Sequence, residues 1–281
     1  MKIVNFEVDS PEIQIVPLAD LHIGSPQCDE LLIKQTCEYI ANTPNCYTIL
    51  NGDIVDNTIR NSVGNVFEET MSPMNQVTTA AYYLSEIAAK KKIINFVSGN
   101  HELRTEKESG LSPSDLLLAH LMRYDETLNE RYCADGAFTF LSMKTRENST
   151  GKICYTIFNL HGNGGGSKIG GKIQRLEDMA GIIDAHIYIR SHTHQPETHR
   201  GIKLTVDTNN HTVREEPCVF VNTGAFLKYG GYGARAGMKP LSRAIPVITI
   251  KNKRKTVQRK NERSDTTQRR IEVVLKDSLE D

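Results

Sequence analysis

The feature that most constrains this chain is the way its short apolar segments end. Segments typical of buried strands run directly into aspartate, asparagine and histidine residues. The five junctions are Asp20-x-His22, Gly52-Asp53-x-x-Asp56, Gly99-Asn100-His101-Glu102, His161 and His192-x-His194. Loops that leave the carboxyl ends of parallel strands meet in one crevice. We therefore expect these side chains to lie together although they are far apart in sequence.

The rest of the pattern predicts an α/β fold with antiparallel additions. Apolar runs predict strands at 12–18, 47–50, 93–98, 137–144, 153–160 and 186–190. Helical periodicity predicts helices at 28–41, 77–89, 112–122 and 172–183. A hairpin over 206–213 should turn at Asn209-Asn210. Strand–helix–strand alternation followed by hairpins is typical of a sheet with helices packed against it.

Composition excludes several classes of protein. The chain has 281 residues, of which 38% are hydrophobic and 24% charged, so it can bury a substantial core. No apolar stretch approaches the roughly 18 to 20 residues of a membrane span, and we expect no membrane partner. Six dispersed cysteines without a C-x-x-C pair predict reduced thiols and a cytoplasmic location.

Charge is unevenly distributed, although the net charge is zero. Residues 251–281 hold 10 Lys and Arg against 6 Asp and Glu. We predict a main domain over 1–250 and a basic C-terminal hairpin or tail over 251–281. The basic run over 251–270 is either a solvated surface segment or an arm that steers nucleic acid or phosphate.

The residue types at the five junctions suit two adjacent divalent metals. A shared carboxylate offsets the repulsion between two cations roughly 3.5 to 4 Å apart, and such a pair clamps a phosphoryl oxygen and activates water. Imidazole, carboxylate and amide ligands together favour manganese, with iron or zinc as alternatives. No cysteine belongs to the set, which excludes a thiolate zinc site.

The five motifs, in this order, resemble the signature of the calcineurin-like metallophosphoesterases over roughly residues 13–224. The resemblance implies an αββα four-layer sandwich with a dinuclear site. It implies that Asp20, His22 and His194 hold one metal, that Asn100, His161 and His192 hold the other, and that Asp53 bridges them. His101 would face the scissile phosphate as general acid or charge stabiliser, and Asp56 would orient a neighbouring side chain.

Within this family, the run from Asp20 to Ser25 is similar to phosphoesterases of phages and prophages and to the small subunit of archaeal D-family DNA polymerases. Two positions depart from the common pattern. Ser191 stands where glycine is usual, a tolerable change between small residues. Glu102 stands where nuclease branches more often carry aspartate, which favours a phosphatase slightly; it could also pair with Arg104.

Further residues are candidates for substrate binding. Lys168 and Lys172 flank a glycine-rich segment after His161, and Arg104 follows His101 by three residues. A run that mixes glycines, aromatics and cations offers Lys228, Tyr229 and Arg235. Such a composition suits a loop that stacks a base or binds a phosphate, and it suits a long surface turn equally well.

These features predict a metal-dependent phosphoesterase that cleaves phosphodiester bonds, with nucleic acid as the leading substrate. Two other enzymes remain as alternatives: a phosphomonoesterase acting on phosphoproteins or nucleotides, and a phosphodiesterase for small or cyclic nucleotides. A non-catalytic scaffold is disfavoured because every ligand position is filled by a residue that can bind metal.

Overall fold

The computed structural model describes residues 1–60, 62, 64–164, 169–259 and 262–279. Its strands are β1 Lys2–Val8, β2 Glu12–Ile15, β3 Cys46–Asn51, β4 Ile93–Val97, β5 Tyr132–Cys133, β6 Ala137–Lys144, β7 Lys152–Leu160, β8 Ile187–Arg190, β9 Glu197–Asp207, β10 Thr212–Asn222, β11 Ile245–Arg259 and β12 Glu262–Lys276. Its helices are α1 Glu30–Asn42, α2 Pro73–Ala89, α3 Asn100–Ser109, α4 Pro113–Leu121, α5 Leu128–Arg131, α6 Ile169–Glu177 and α7 Gly231–Arg235, with short 3-10 turns at Val66–Glu68 and Asp178–Gly181.

The strands form two six-stranded sheets. One has the order β12-β11-β2-β3-β4-β5, and β2 to β5 are parallel. The other has the order β1-β6-β7-β8-β10-β9, with β7, β8 and β10 parallel. Each strand that precedes one of the five polar junctions is therefore parallel to at least one neighbour, and such strands within one sheet end at one edge of it.

Three apolar clusters define four layers. Between the sheets, side chains such as Ile15 and Ile49 pack with Ile157 and Ile189. The outer face of the first sheet is covered by α1, α2 and α4. The outer face of the second contacts Leu176 of α6 and the turn that follows it. This arrangement confirms the predicted αββα sandwich. Strands covered on both faces explain the continuous apolar runs in the sequence.

A chain of buried amides crosses the space between the sheets. Asn95 of β4 and Asn159 of β7 exchange hydrogen bonds of 2.9 and 3.0 Å. Asn159 also donates to Oδ1 of Asn51 at 2.9 Å, and Asn51 donates to Ser191 Oγ at 2.6 Å. All four residues are fully buried. Each amide donates a hydrogen bond to an acceptor of its neighbour, so these polar groups are tolerated inside an apolar core.

Most predicted elements lie within a few residues of the observed ones. There are three departures. The predicted strand over 12–18 is regular only to Ile15, although Val16 and Leu18 still donate to the Tyr47 and Ile49 carbonyls at 2.9 Å and Leu18 keeps a bridge to Leu50. Helix α3 was not predicted because its sequence, NHELRTEKES, has almost no apolar residues and buries only Glu102. Strand β1 was also missed, since its exposed side chains hide the alternation.

The C-terminal hairpin belongs to the first sheet. Residues 248–251 of β11 pair with β2, and β12 pairs along the whole of β11. Ile250 and Ile271 lie in the core between the sheets. Strand β11 thus crosses residue 250 without a break, and the predicted division of the chain there stays a prediction.

No helix in the described part of the chain combines the length and the apolar character needed to cross a bilayer.

Candidate metal centre

Two loops that run side by side place the first ligand candidates. The backbone N–H groups of Asp20, His22 and Ile23 donate to carbonyls of residues 52, 53 and 54 at 3.0 to 3.1 Å. The loops after β2 and β3 thus continue the parallel pairing of their strands. This pairing brings Asp20 and His22 beside Asp53, as the sequence predicts.

The first group of ligand candidates is Asp20, His22 and His194, whose candidate ligand atoms lie within 4.8 Å of one another. His22 Nε2 lies 3.2 Å from His194 Nε2, and His194 Nε2 lies 3.3 Å from Asp20 Oδ1. Asp20 Oδ1 is buried and accepts no hydrogen bond in the described structure, while Oδ2 accepts the N–H of His192 at 3.1 Å. A buried carboxylate oxygen without a donor, facing two imidazoles, fits a cation.

The second group is Asp53, His161 and His192, joined by Asn100. Asp53 Oδ2 lies 3.1 Å from His161 Nε2. Asn100 Oδ1 lies 3.1 Å from His161 Nε2 and 2.7 Å from His192 Nδ1. The seven predicted ligands therefore converge in the two sets that the resemblance implied, and His22, Asp53 and His101 form a third candidate group that overlaps both. That each of them binds metal stays a prediction.

For three of the histidines, hydrogen bonds at Nδ1 determine which ring nitrogen has a lone pair available for a metal. His161 Nδ1 lies 2.8 Å from the carbonyl of Asn51, and His101 Nδ1 lies 2.5 Å from the carbonyl of Asp56. A carbonyl only accepts, so both Nδ1 atoms carry protons. His22 Nδ1 lies 2.9 Å from Asp56 Oδ1, which likewise favours a proton there. In their neutral forms these rings present Nε2 lone pairs to the centre.

The acidic side chains hold extra protons on two of these histidines. Burial lowers the pKa of His22, but its hydrogen bond to Asp56 and the surrounding carboxylates outweigh burial and raise the pKa to about 9. Burial also lowers the pKa of His161, but the charge of Asp53 outweighs burial and the pKa rises to about 9. The pKa of Asp53 falls well below its usual value, because His161 and His101 overcome the effect of burial. A site that attracts protons this strongly also attracts metal cations.

The backbone at the centre is strained. Five of the seven ligand candidates have positive φ angles, from 47° to 72°; they are Asp20, His22, Asp53, His192 and His194. Non-glycine residues rarely adopt this region, at a cost of about 1 to 3 kcal/mol each. The surrounding hydrogen bonds impose these angles. The angles in turn direct both side chains of Asp20 and His22, and both of His192 and His194, toward the same point.

His101 and Asp56 border the first group. His101 Nε2 lies 3.7 Å from Asp53 Oδ2, and burial lowers the pKa of the ring to about 4. Asp56 binds His22 through its carboxylate and His101 through its carbonyl, and it accepts from Thr58 Oγ1 at 2.8 Å. These contacts suit the predicted role of Asp56 in orienting its neighbours.

Glu102 has a role that sequence reasoning missed. Rather than pairing with Arg104, its buried carboxylate accepts the backbone N–H groups of Asp53, Ile54, Val55 and Gly99 at 2.7 to 3.1 Å. It thereby joins the loop after β3 to the start of α3. A glutamate three residues after a helix N-cap was the available signal. Gly99 completes the contact, since a Cβ there would lie 2.1 Å from the Asp53 nitrogen.

Asn51 is the second residue that was missed. Its carbonyl orients His161, its side-chain nitrogen donates to the Leu160 carbonyl at 3.0 Å and to Ser191 Oγ, and Gly52-Asp53 follow it directly. One buried side chain thus contacts the residues that precede His161 and His192. Ser191, where the resemblance leads one to expect glycine, supplies an acceptor that glycine lacks.

The predicted substrate contacts are placed as follows. Lys172 Nζ donates to the Thr193 carbonyl at 3.0 Å, and Arg104 donates to Ser62 and lowers the pKa of His101 by its charge, after burial. Lys228 lies 3.4 Å from Asp29 Oδ1, and Arg235 lies 3.0 Å from Glu68. Tyr229 is 57% exposed and donates to the Met238 carbonyl. Lys168 lies outside the described residues.

The donor set fits a pair of divalent cations. It offers imidazole nitrogens with lone pairs directed inward, two buried carboxylates and an amide oxygen, and it leaves Asp20 Oδ1 without another partner. The sequence model of the calcineurin-like phosphoesterase family matches residues 13–198, a span that contains all seven ligand candidates. The chain belongs to the calcineurin-like phosphoesterases.

Apart from the family model, the similarities to known proteins are weak. Among curated proteins, none matches the chain closely enough to count as a relative. One similar solved structure is a conserved uncharacterized protein, a predicted phosphoesterase, from Streptococcus pneumoniae TIGR4. The two chains share 13% identity over 92% of this chain and 98% of that one, with a TM-score of 0.37.

Family membership establishes the class of chemistry. The protein is a metal-dependent hydrolase acting on phosphate esters, and its candidate ligands are the His and Asp groups described above. Its substrate is a phosphoester.

Proposed function

We propose that this phosphoesterase cleaves phosphodiester bonds of nucleic acid in the cytoplasm, using two divalent cations. Manganese is the preferred ion, with iron or zinc as alternatives. The observation that carries the proposal is the convergence of seven side chains in two groups, with Asp53 as the carboxylate between them. Mixed nitrogen and oxygen donors of this kind suit borderline metals.

The residues of the centre would have two kinds of role, holding the ions and orienting the side chains that hold them. When bound, the two ions would draw charge from the phosphoryl oxygens and supply a nucleophile at neutral pH. Asp20, Asp53 and the histidines would hold the ions and thereby fix where the phosphate binds. Asp56 and the Asn51 carbonyl hold His22 and His161 in the tautomer that offers Nε2.

His101 would act as general acid on the leaving oxygen or stabilise charge on the phosphate. Its Nδ1 proton is committed to the Asp56 carbonyl, so its Nε2 can deliver a proton only when the ring is charged. Burial opposes that charge and holds the pKa at about 4. An anionic phosphate next to the ring raises the pKa again. The substrate itself therefore favours the form of His101 that can donate.

Features beside the centre support a nucleic-acid substrate. The segment that contains Lys228, Tyr229 and Arg235 begins next to the centre, where the Phe226 N–H donates to the Asp20 carbonyl at 3.0 Å. The exposed ring of Tyr229 offers a face on which a base can stack. Arg104 lies near enough to His101 to act on its pKa.

The argument for a phosphomonoesterase is weakened. It rested on Glu102, but this carboxylate is buried and accepts four backbone N–H groups. A choice between glutamate and aspartate at this position therefore bears on loop geometry rather than on the substrate.

A substrate panel tests the proposal. Purified protein with Mn²⁺ would be offered single- and double-stranded DNA, RNA, p-nitrophenyl phosphate and its bis ester. We expect cleavage of nucleic acid and of the bis ester, and loss of about 100-fold or more in kcat for Asp53→Ala and His101→Ala.

Two matched variants serve as controls. Asp9→Ala and His211→Ala remove the same kinds of side chain from exposed positions and should retain full activity. Turnover of the monoester alone would eliminate the nuclease proposal. Failure to cleave any of these esters with any divalent metal would remove the proposed function altogether.

A further inference from the structure

A buried arginine beside the centre lacks an anionic partner. Arg190 ends β8, directly before Ser191 and His192, and is only 8% exposed. One of its nitrogens donates to the Asn163 carbonyl at 3.0 Å, but its buried Nε has no hydrogen-bond partner in the described structure. Its guanidinium lies over Gly162, where a Cβ would approach within 2.9 Å. Gly162 in turn follows the ligand candidate His161.

Two cations of α6 accompany Arg190. Lys172 donates to the carbonyl of Thr193, which lies between His192 and His194. Arg175 donates to the carbonyl of Gly164 at 2.7 Å. All three cations thus contact backbone of the loops after β7 and β8 that carry ligand candidates. A lysine and two arginines use few of their donors in these bonds.

Acidic groups near the cluster do not neutralise it. None of the ion pairs among the described residues includes Lys172, Arg175 or Arg190, and Glu177 pairs with His199 at 3.2 Å instead. Asp178 is the carboxylate whose charge acts on Arg190, and the charge of Arg175 opposes it. Burial lowers the pKa of Lys172. A buried guanidinium such as that of Arg190 is costly without a counter-charge, and the two half-buried cations beside it add positive charge, so the arrangement favours an anion from outside the chain.

We propose that Lys172, Arg175 and Arg190 bind a second phosphate of the substrate, adjacent to the phosphate that is cleaved. The inference rests on the proposed function and deepens it. A substrate that fills both positions carries at least two phosphates in one chain, as nucleic acid does and a simple monoester does not. Paired guanidinium donors suit a phosphate because they match its oxygens in geometry as well as in charge.

A comparison of two substrates tests this site by activity. The bis ester of p-nitrophenol has one phosphate, whereas a short single-stranded DNA has several. For Lys172→Gln, Arg175→Gln and Arg190→Gln we expect KM for DNA to rise about tenfold, the ratio that one charge-assisted hydrogen bond supplies. The kcat for DNA should stay within about twofold of the wild-type value, and the kcat/KM for the bis ester should fall several-fold less than the kcat/KM for DNA.

Direct binding supplies a readout that does not need turnover. The probe is a fluorescein-labelled single-stranded pentanucleotide, followed by anisotropy in EDTA at several salt concentrations. Loss of one phosphate contact should reduce the slope of log K against log salt by about 0.7. Lys144→Gln is the matched control, since this lysine pairs with Asp9 on another part of the surface.

The outcomes separate the two proposals. Equal losses with DNA and with the bis ester, or salt slopes unchanged in all three variants, would overturn the second-phosphate site while leaving the phosphodiesterase intact. Reduced slopes in a protein that cleaves no ester would support the site and reject the proposed function. If Arg190→Gln fails to fold by circular dichroism, Lys172→Gln and Arg175→Gln carry the test.

Discussion

At the scale of single residues, much of the centre depends on side chains that bind backbone. Glu102 accepts four N–H groups from two loops, and Asp56 and Asn51 fix the tautomers of His22, His101 and His161. Charged acceptors form stronger hydrogen bonds than neutral ones, and buried donors left unpaired are costly. These hydrogen bonds therefore hold the ligand candidates in place before any cation binds.

Glu102→Gln should destabilise the protein by about 2 to 4 kcal/mol, because the amide replaces one acceptor oxygen by a donor facing N–H groups. Urea unfolding of the metal-free protein measures the change. Glu147→Gln, an exposed site, should be neutral. Equal stability of Glu102→Gln and wild type would show that the carboxylate does not hold the two loops together.

The sequence predicted the convergence of the ligand candidates better than it predicted the side chains that hold them in place. Asp20, His22 and the other ligand candidates follow apolar strands, so the topology of parallel strands was enough to bring them together. Glu102 and Asn51 escaped notice because their partners are mainly backbone groups or buried amides, which leave no pattern of residue types. The helix that carries Asn100 escaped because it buries almost nothing apolar.

At the scale of elements, the buried amide chain links strands of both sheets to the centre. It runs from β4 through β7 to β3, and from Asn51 to the Ser191 hydroxyl at the start of the last ligand loop. The two sheets are thereby held in one register relative to each other, where apolar contacts alone permit sliding.

A double-mutant cycle tests this link. Ser191→Ala should lower the free energy of unfolding by about 1 kcal/mol, and Asn51→Ala by about 2 to 4 kcal/mol, since the latter frees three hydrogen-bond partners. The double variant should be more stable than the sum of the two losses implies, by about 0.5 to 1 kcal/mol, because the pair shares one bond. Strict additivity in urea unfolding would contradict a direct Asn51–Ser191 interaction.

At the scale of the whole molecule, protons and metals compete for one centre. In the metal-free protein the pKa values of His22 and His161 are raised to about 9, so their protonation stabilises the fold fully below pH 6.5. This contribution is lost as the pH rises through 9. The lowered pKa of His101, about 4, acts oppositely: its contribution is present above pH 6.5 and is lost as the pH falls through 4.

The midpoint temperature of thermal unfolding of EDTA-treated protein should therefore decrease as the pH is raised from 7 to 9.5. Saturating Mn²⁺ should raise the midpoint, and by more at pH 8.5 than at pH 6.5, because metal binding needs deprotonated imidazoles. Differential scanning fluorimetry across this range measures both effects. A metal-induced shift that is greatest at low pH would contradict the assigned protonation states.

The position of β11 has a consequence for how the protein is made. This strand lies between β12 and β2, and β2 leads to Asp20. During synthesis the edge of β2 stays uncovered until residues beyond 245 have left the ribosome, long after all the ligand candidates have emerged. Pairings over such sequence separations form slowly. We therefore expect the site to become competent to bind metal only after the β11–β12 hairpin has paired with β2, although all the ligand candidates are synthesised earlier.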